Sequence, residues 1–63
     1  MNQVVEILME RDGNTKAEAE SRLAECRRLC DEYLATGDYI MIDDIIMEEL
    51  GLEPDYIFDI LYA

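Results

Sequence analysis

Three glycines and the polar residues beside them cut this chain into short helical lengths, and that punctuation constrains the fold more than any other feature. Asp12-Gly13 stops the first segment. Thr15-Lys16-Ala17-Glu18 then has the form of a capping box, Thr15 accepting from the Glu18 amide while the Glu18 side chain reaches back. Gly37 falls where a left-handed residue closes a helix, and Asp38 is placed to cap the next one at once. Gly51 ends that third length. Glu53-Pro54 opens a fourth, with proline at the first helical position, where its missing N–H costs nothing. The reading is all-α: three main helices and a short C-terminal one, in a single acidic domain over residues 1–63.

Apolar spacing agrees with the punctuation. Over residues 16–35, Ala19, Leu23, Cys26, Leu29, Cys30, Tyr33 and Leu34 fall on one helical face, the arc of a core-facing helix. Its other face mixes both signs, and Glu18–Arg22, Glu25–Arg28, Arg27–Asp31 and Arg28–Glu32 are spaced to pair. Such pairing would spend these cations locally and leave the later acids without relief. Over residues 39–50, Ile42, Ile45, Ile46 and Leu50, with Tyr39, make a core face; Ile40 and Met47 lie on a second side near Asp43 and Asp44, and Met41 is outside the core arc too. Residues 3–10 suit a strand or a helix, and helix is preferred because a lone strand finds no partner here. In the last segment Ile57, Phe58, Ile60 and Leu61 are read as the inner side, with Asp55 and Asp59 outside.

The charge is distributed unevenly. Arg11, Lys16, Arg22, Arg27 and Arg28 are the five cations, and after Arg28 there are ten carboxylates and no base; the net charge is −11 on 63 residues. Uncompensated like charge weakens a compact state, so a field of this kind often has a use outside folding. A domain this small buries only about 60% of the surface its unfolded chain exposes, which leaves little margin. The 51% hydrophobic content nevertheless argues for a folded chain rather than a disordered acidic tail.

Several function classes fit poorly. Direct nucleic-acid binding lacks its basic stripe. No stretch approaches the roughly 20 apolar residues of a membrane span, anionic lipids would repel this surface, and the first residues have no basic leader, so a cytoplasmic protein is expected. Cys26 and Cys30 without any histidine supply half of a zinc site, and they read as core thiols. Asp12-Gly13-Asn14 starts like a calcium loop, but Lys16 stands at its fifth position and Ala17 where glycine is required. Carboxylates recur at i,i+4 (Asp44–Glu48, Asp55–Asp59), yet acid–base catalysis needs two in differing environments within a cleft. Neither enzyme nor cofactor is expected.

The acidic half is the feature with a functional reading. If the third and fourth helices pack side by side, eight acids between residues 38 and 59 share about 18 Å of axis. That is about one charge per 2.3 Å, against about 1.7 Å for duplex DNA. Tyr39, Tyr56, Phe58 and Tyr62 lie in the same half, and tyrosine beside carboxylates suits an interface that receives arginine. The plainer reading is a solvated face that keeps the protein in solution, with Phe58 and Tyr56 in the core.

The stretch Gly51-Leu52-Glu53-Pro54-Asp55-Tyr56-Ile57-Phe58-Asp59, with Gly37-Asp38-Tyr39 and the capped helix from Thr15, resembles short acidic proteins encoded by phages and prophages of low-GC Gram-positive bacteria. The likeness covers residues 15–61. No activity comes with that group, so no residue role carries over. It implies a context in which small acidic proteins inhibit host defence, anti-restriction and anti-CRISPR proteins that imitate DNA among them.

The expectation is therefore a non-enzymatic inhibitor that binds a basic, nucleic-acid-handling surface of a host protein through Asp43, Asp44, Glu48, Glu49, Asp55 and Asp59, with Tyr39 and Tyr56 at the rim. One alternative is a scaffold or adaptor, including a homodimer, that binds through Ile40, Met41 and Met47. Another is an antitoxin-like neutraliser of a basic toxin, using the same acidic face.

Overall fold

The computed structural model describes residues 2–62, and among them there are only helices and their connections: α1 (Gln3–Asp12), α2 (Lys16–Thr36), α3 (Tyr39–Leu50), a 3-10 turn (Pro54–Tyr56) and α4 (Ile57–Leu61). Each boundary has a local cause. Thr15 Oγ1 accepts from the Glu18 amide at 3.1 Å and Glu18 Oε1 accepts from the Thr15 amide at 2.8 Å, closing the capping box on α2. Asp38 accepts from the Met41 amide at 3.2 Å to start α3. The first segment is a helix, and its cap is Asn2, whose Oδ1 takes the Val4 amide at 2.8 Å. Gly37 ends α2 at φ 76°, a backbone conformation that costs a side chain about 1 kcal/mol or more.

Helix α2 is the axis of the molecule. Its 21 residues span roughly 31 Å at 1.5 Å each, which matches the long dimension of a 33 × 16 × 15 Å body. The other three helices pack on it. Ala19, Leu23, Cys26 and Cys30 from α2 meet Val4, Val5 and Leu8 from α1, Ile42, Ile45, Ile46 and Leu50 from α3, and Leu52 and Ile60. Leu29, Tyr33 and Leu34 pack against this core from its margin. No buried side-chain oxygen or nitrogen among the described residues lacks a partner.

Two apolar assignments need correction. Phe58 is 68% exposed. Ile57, Ile60 and Leu61 already fill an arc of about 100° on α4, and Phe58 falls outside it, so it stacks on Tyr62 instead. Those rings lie 6.2 Å apart and nearly parallel. Tyr39 is also exposed; it has the azimuth of a core residue but is the first residue of α3, at the corner where the chain turns back.

Helices α3 and α4 do not lie side by side. The fourth helix packs on α2 and α1, and the main contact of this C-terminal segment with α3 is made by the 3-10 turn. Asn2 Nδ2 donates to the Asp59 carbonyl at 2.7 Å, which holds α4 against the start of α1. The eight carboxylates are therefore not strung along one axis, and the DNA-like density expected of a paired α3–α4 surface is not realised.

Candidate functional site: the outward face of α3

At 3.6 residues per turn, Ile40 and Met47 differ by about 20° in azimuth, with Asp43 about 60° to one side of Ile40 and Asp44 about 40° to the other. All four are exposed, Ile40 at 78% and Met47 at 58%. Glu48 follows Asp44 one turn on and is exposed as well. The opposite side of the helix is Ile42, Ile45, Ile46 and Leu50, buried on α2. Met41 is half-buried, so the apolar part of the outer face reduces to Ile40 and Met47.

The other expected residues are more scattered. Glu49 is exposed but about 140° around the helix from Asp44. It lies on the α2 side, near enough to Cys26 for its charge to act on that thiol. Asp55 is exposed on the 3-10 turn that leans on α3. Asp59 is half-buried beside the N-terminus of α1, where its carbonyl takes Asn2. Tyr56 is half-buried and packs against the core. The structure thus gathers Asp43, Asp44 and Glu48, with Asp55 on the adjoining turn, and separates Glu49 and Asp59 from them.

Where the cations go explains why this face keeps its charge. The expected Glu18–Arg22 pair does not form, because Glu18 is committed to the capping box and its carboxyl is held below the usual range mainly by the Thr15 amide. Arg22 instead donates from Nη1 to Asp12 and to Asn14, each at 2.7 Å, and from Nη2 to the Glu49 carbonyl at 3.1 Å. Arg11 donates to the Leu50 and Gly51 carbonyls and pairs with Asp12 at 2.8 Å. Two guanidiniums therefore close the C-terminal end of α3, and Arg22 is not neutralised within α2 as its spacing from Glu18 suggested. Arg28 bridges Glu25 and Glu32, and Arg27 meets Asp31 at 3.9 Å.

That clamp answers a local need. The last turn of α3 has no basic residue and carries Glu48 and Glu49 at the negative end of the helix dipole, an unfavourable placement. Arg11 and Arg22 supply the missing positive charge from outside. Glycine suits position 51 through its backbone, at φ 64°; an added Cβ would meet Arg11 Nη1 at 3.4 Å, an ordinary contact that leaves the clamp in place. The sequence signal was available, since a helix that ends in Glu-Glu-Leu-Gly calls for a cation from another element. Among the described residues, none of Asp43, Asp44, Glu48, Glu49, Asp55 and Asp59 has a side-chain ion pair or hydrogen bond.

The remaining chemistry-bearing groups are committed elsewhere. Asp12 and Asn14, which begin like a calcium loop, both receive Arg22. Cys26 and Cys30 are fully buried, and burial first, then Cys30 and Glu49, pushes the Cys26 thiol up to about 12. A groove of about 590 Å³ runs between α1 and α2 over Val5, Leu23 and Ala24, and none of the candidate acids lines it. No helix among the described residues is long and apolar enough to cross a membrane. No family model matches the chain, and no curated protein and no solved structure matches it either.

Proposed function

We propose that this chain is a non-enzymatic inhibitor that occupies a basic, nucleic-acid-handling surface of another protein, with the outward face of α3 as its contact surface. One observation carries the reading. Outward carboxylates are concentrated on α3 up to its dipole-disfavoured end, at a cost that Arg11 and Arg22 must offset. Solubility alone would be served by acids placed anywhere. The resemblance to small acidic phage proteins makes a host defence protein the natural target. The contact is a compact acidic patch on one helix rather than a duplex-length row of charges.

Steric occupation by acids needs no reaction step. A basic surface that normally receives phosphates meets Asp43, Asp44 and Glu48 in their place. Electrostatic attraction speeds the encounter, and the complex weakens as salt rises. A second reading, an adaptor that binds through apolar contact, is favoured by the exposure of Ile40 and Met47.

Capture of a nucleic-acid-binding protein from host lysate, followed by competition with DNA or RNA, tests the proposal. The captured protein should lose nucleic-acid binding when complexed. It should be released by the combined substitution of Asp43→Asn, Asp44→Asn, Glu48→Gln and Asp55→Asn. A partner that keeps its nucleic acid, or holds the four-amide variant as tightly as the original, would overturn the reading.

A further inference from the structure

The outward face of α3 has an order as well as a charge. Along it the exposed residues run apolar, acidic, acidic, apolar: Ile40, Asp43, Asp44, Met47. The two apolar side chains are seven residues apart, about 10.5 Å along the axis. Two apolar residues one heptad apart on a narrow arc have the spacing of one step of the seam by which one helix receives another. In such a seam the residues between the apolar positions also face the partner, and here they are Asp43 and Asp44.

We infer that the partner of this face is an amphipathic basic helix that presents an apolar residue, lysine or arginine three and four positions later, and a second apolar residue at the seventh. The inference rests on the proposed acidic-face reading and narrows it from a basic surface to a basic helix. Charge complementarity selects the occupant. Ile40 and Met47 would each meet one apolar side chain, and Asp43 and Asp44 would meet the cations between them. The order is the same from either end, so the partner helix fits in both directions. A second copy of this chain fits badly. Laid antiparallel on itself, α3 would set Asp43 and Asp44 against Asp43 and Asp44, and like charges in a seam are repulsive.

Two synthetic peptides of roughly 18 residues, about five helical turns, test the inference against the full chain. Both contain leucine, lysine and alanine in identical numbers. One has the ordered apolar–basic–basic–apolar repeat, and the other has its leucines scattered around the helix. Binding is followed by fluorescence anisotropy, and peptide helicity by circular dichroism.

The ordered peptide should become helical on binding and bind about tenfold more tightly than the scattered one, the scale of a hydrophobic contact added to a shared charge attraction. The Ile40→Ser, Met47→Ser variant should abolish that ratio; both side chains are exposed, so the fold is retained. The Asp43→Asn, Asp44→Asn variant should weaken both peptides. Equal binding of the two peptides overturns the helix inference while leaving the acidic-face reading standing. Failure of both peptides to bind even at low salt overturns both. Sedimentation as a dimer that the serine variant dissociates also overturns the inference, because a second copy would then cover the seam.

Discussion

Helices α2 and α3 treat charge in opposite ways. On α2, Arg28 is shared between Glu25 and Glu32 and Arg27 meets Asp31, so its surface is close to balanced. On α3 the outward carboxylates have no cation of their own among the described residues, and positive charge reaches the helix at its terminal carbonyls, from Arg11 and Arg22. The difference separates two jobs within 63 residues. The balanced helix organises the core, and the unbalanced one is held in place from outside while its surface stays negative. The buried apolar side of α3 and its uncompensated acidic side thus lie opposite one another on the same short helix.

The sharpest way to break that division is to compare the two sides of α3. Ile46→Ala removes a fully buried side chain and should cost about 2–5 kcal/mol. A domain of this size has a total stability of the same order, so the variant should be largely unfolded in a urea titration. Ile40→Ala, on the exposed side, should move the midpoint by no more than about 0.5 kcal/mol. Comparable losses at the two positions would mean that the outer face is covered.

Next in size is the α2 core. Cys26→Ala with Cys30→Ala should cost about 1–3 kcal/mol together without changing partner binding. Their buried thiols, raised above the ordinary thiol range chiefly by burial, should label slowly in the native protein and fast in urea.

The clamp is sharpened by contrasting arginines. Arg11→Ala or Arg22→Ala should lower the melting temperature more than Arg28→Ala, because the first two leave α3 carbonyls and the helix dipole unanswered. Acid titration reports the same junction. The Asp12 carboxyl is held well below its ordinary value of 3.8 by hydrogen bonds from Arg11 first and Arg22 second. A lowered folded pKa contributes stability that is complete above the unfolded value and is lost as pH falls through the folded one. That loss therefore begins as pH falls below 3.8 and is complete only in strong acid, and Asp12→Asn should remove it from the profile of stability against pH.

The smallest effect should be a gain. Adding about 0.3 M sodium chloride at pH 7 screens the excess negative charge, and Glu48→Gln removes one carboxylate from the α3 dipole end. Each should raise the melting temperature by about 1–3 °C. A fall on adding salt would mean that attraction, rather than repulsion, dominates the surface.

How much of this could be read in the chain follows from the range over which each cause acts. Helix boundaries were legible because Thr15, Glu18, Asp38 and the three glycines act within four residues of where they stand. The inner face of α3 was legible because four apolar residues share one arc. Phe58 and Tyr39 were misread because azimuth says which way a side chain points, not how far the neighbouring helix extends. The partner of Arg22 was missed because two local rules competed for Glu18, and the capping box took it. At the candidate site, Asp43, Asp44 and Glu48 were recoverable from spacing alone. Glu49 was separable by the same spacing, since it lies about 140° around α3 from Asp44; separating Asp59 required the placement of α4, which depends on contacts far apart in sequence.

The bond from Asn2 to the Asp59 carbonyl joins positions 57 apart. Asn2 is also the cap of α1, so its side chain serves the first helix with one atom and the last with another. The first helix therefore cannot reach its finished environment until α4 is in place. Closing so long a loop carries an entropic penalty that only the assembled core repays. A fragment that lacks α4 should therefore be less stable than residues 1–63, by the loss of Ile60 from the core and of the Asn2 bond.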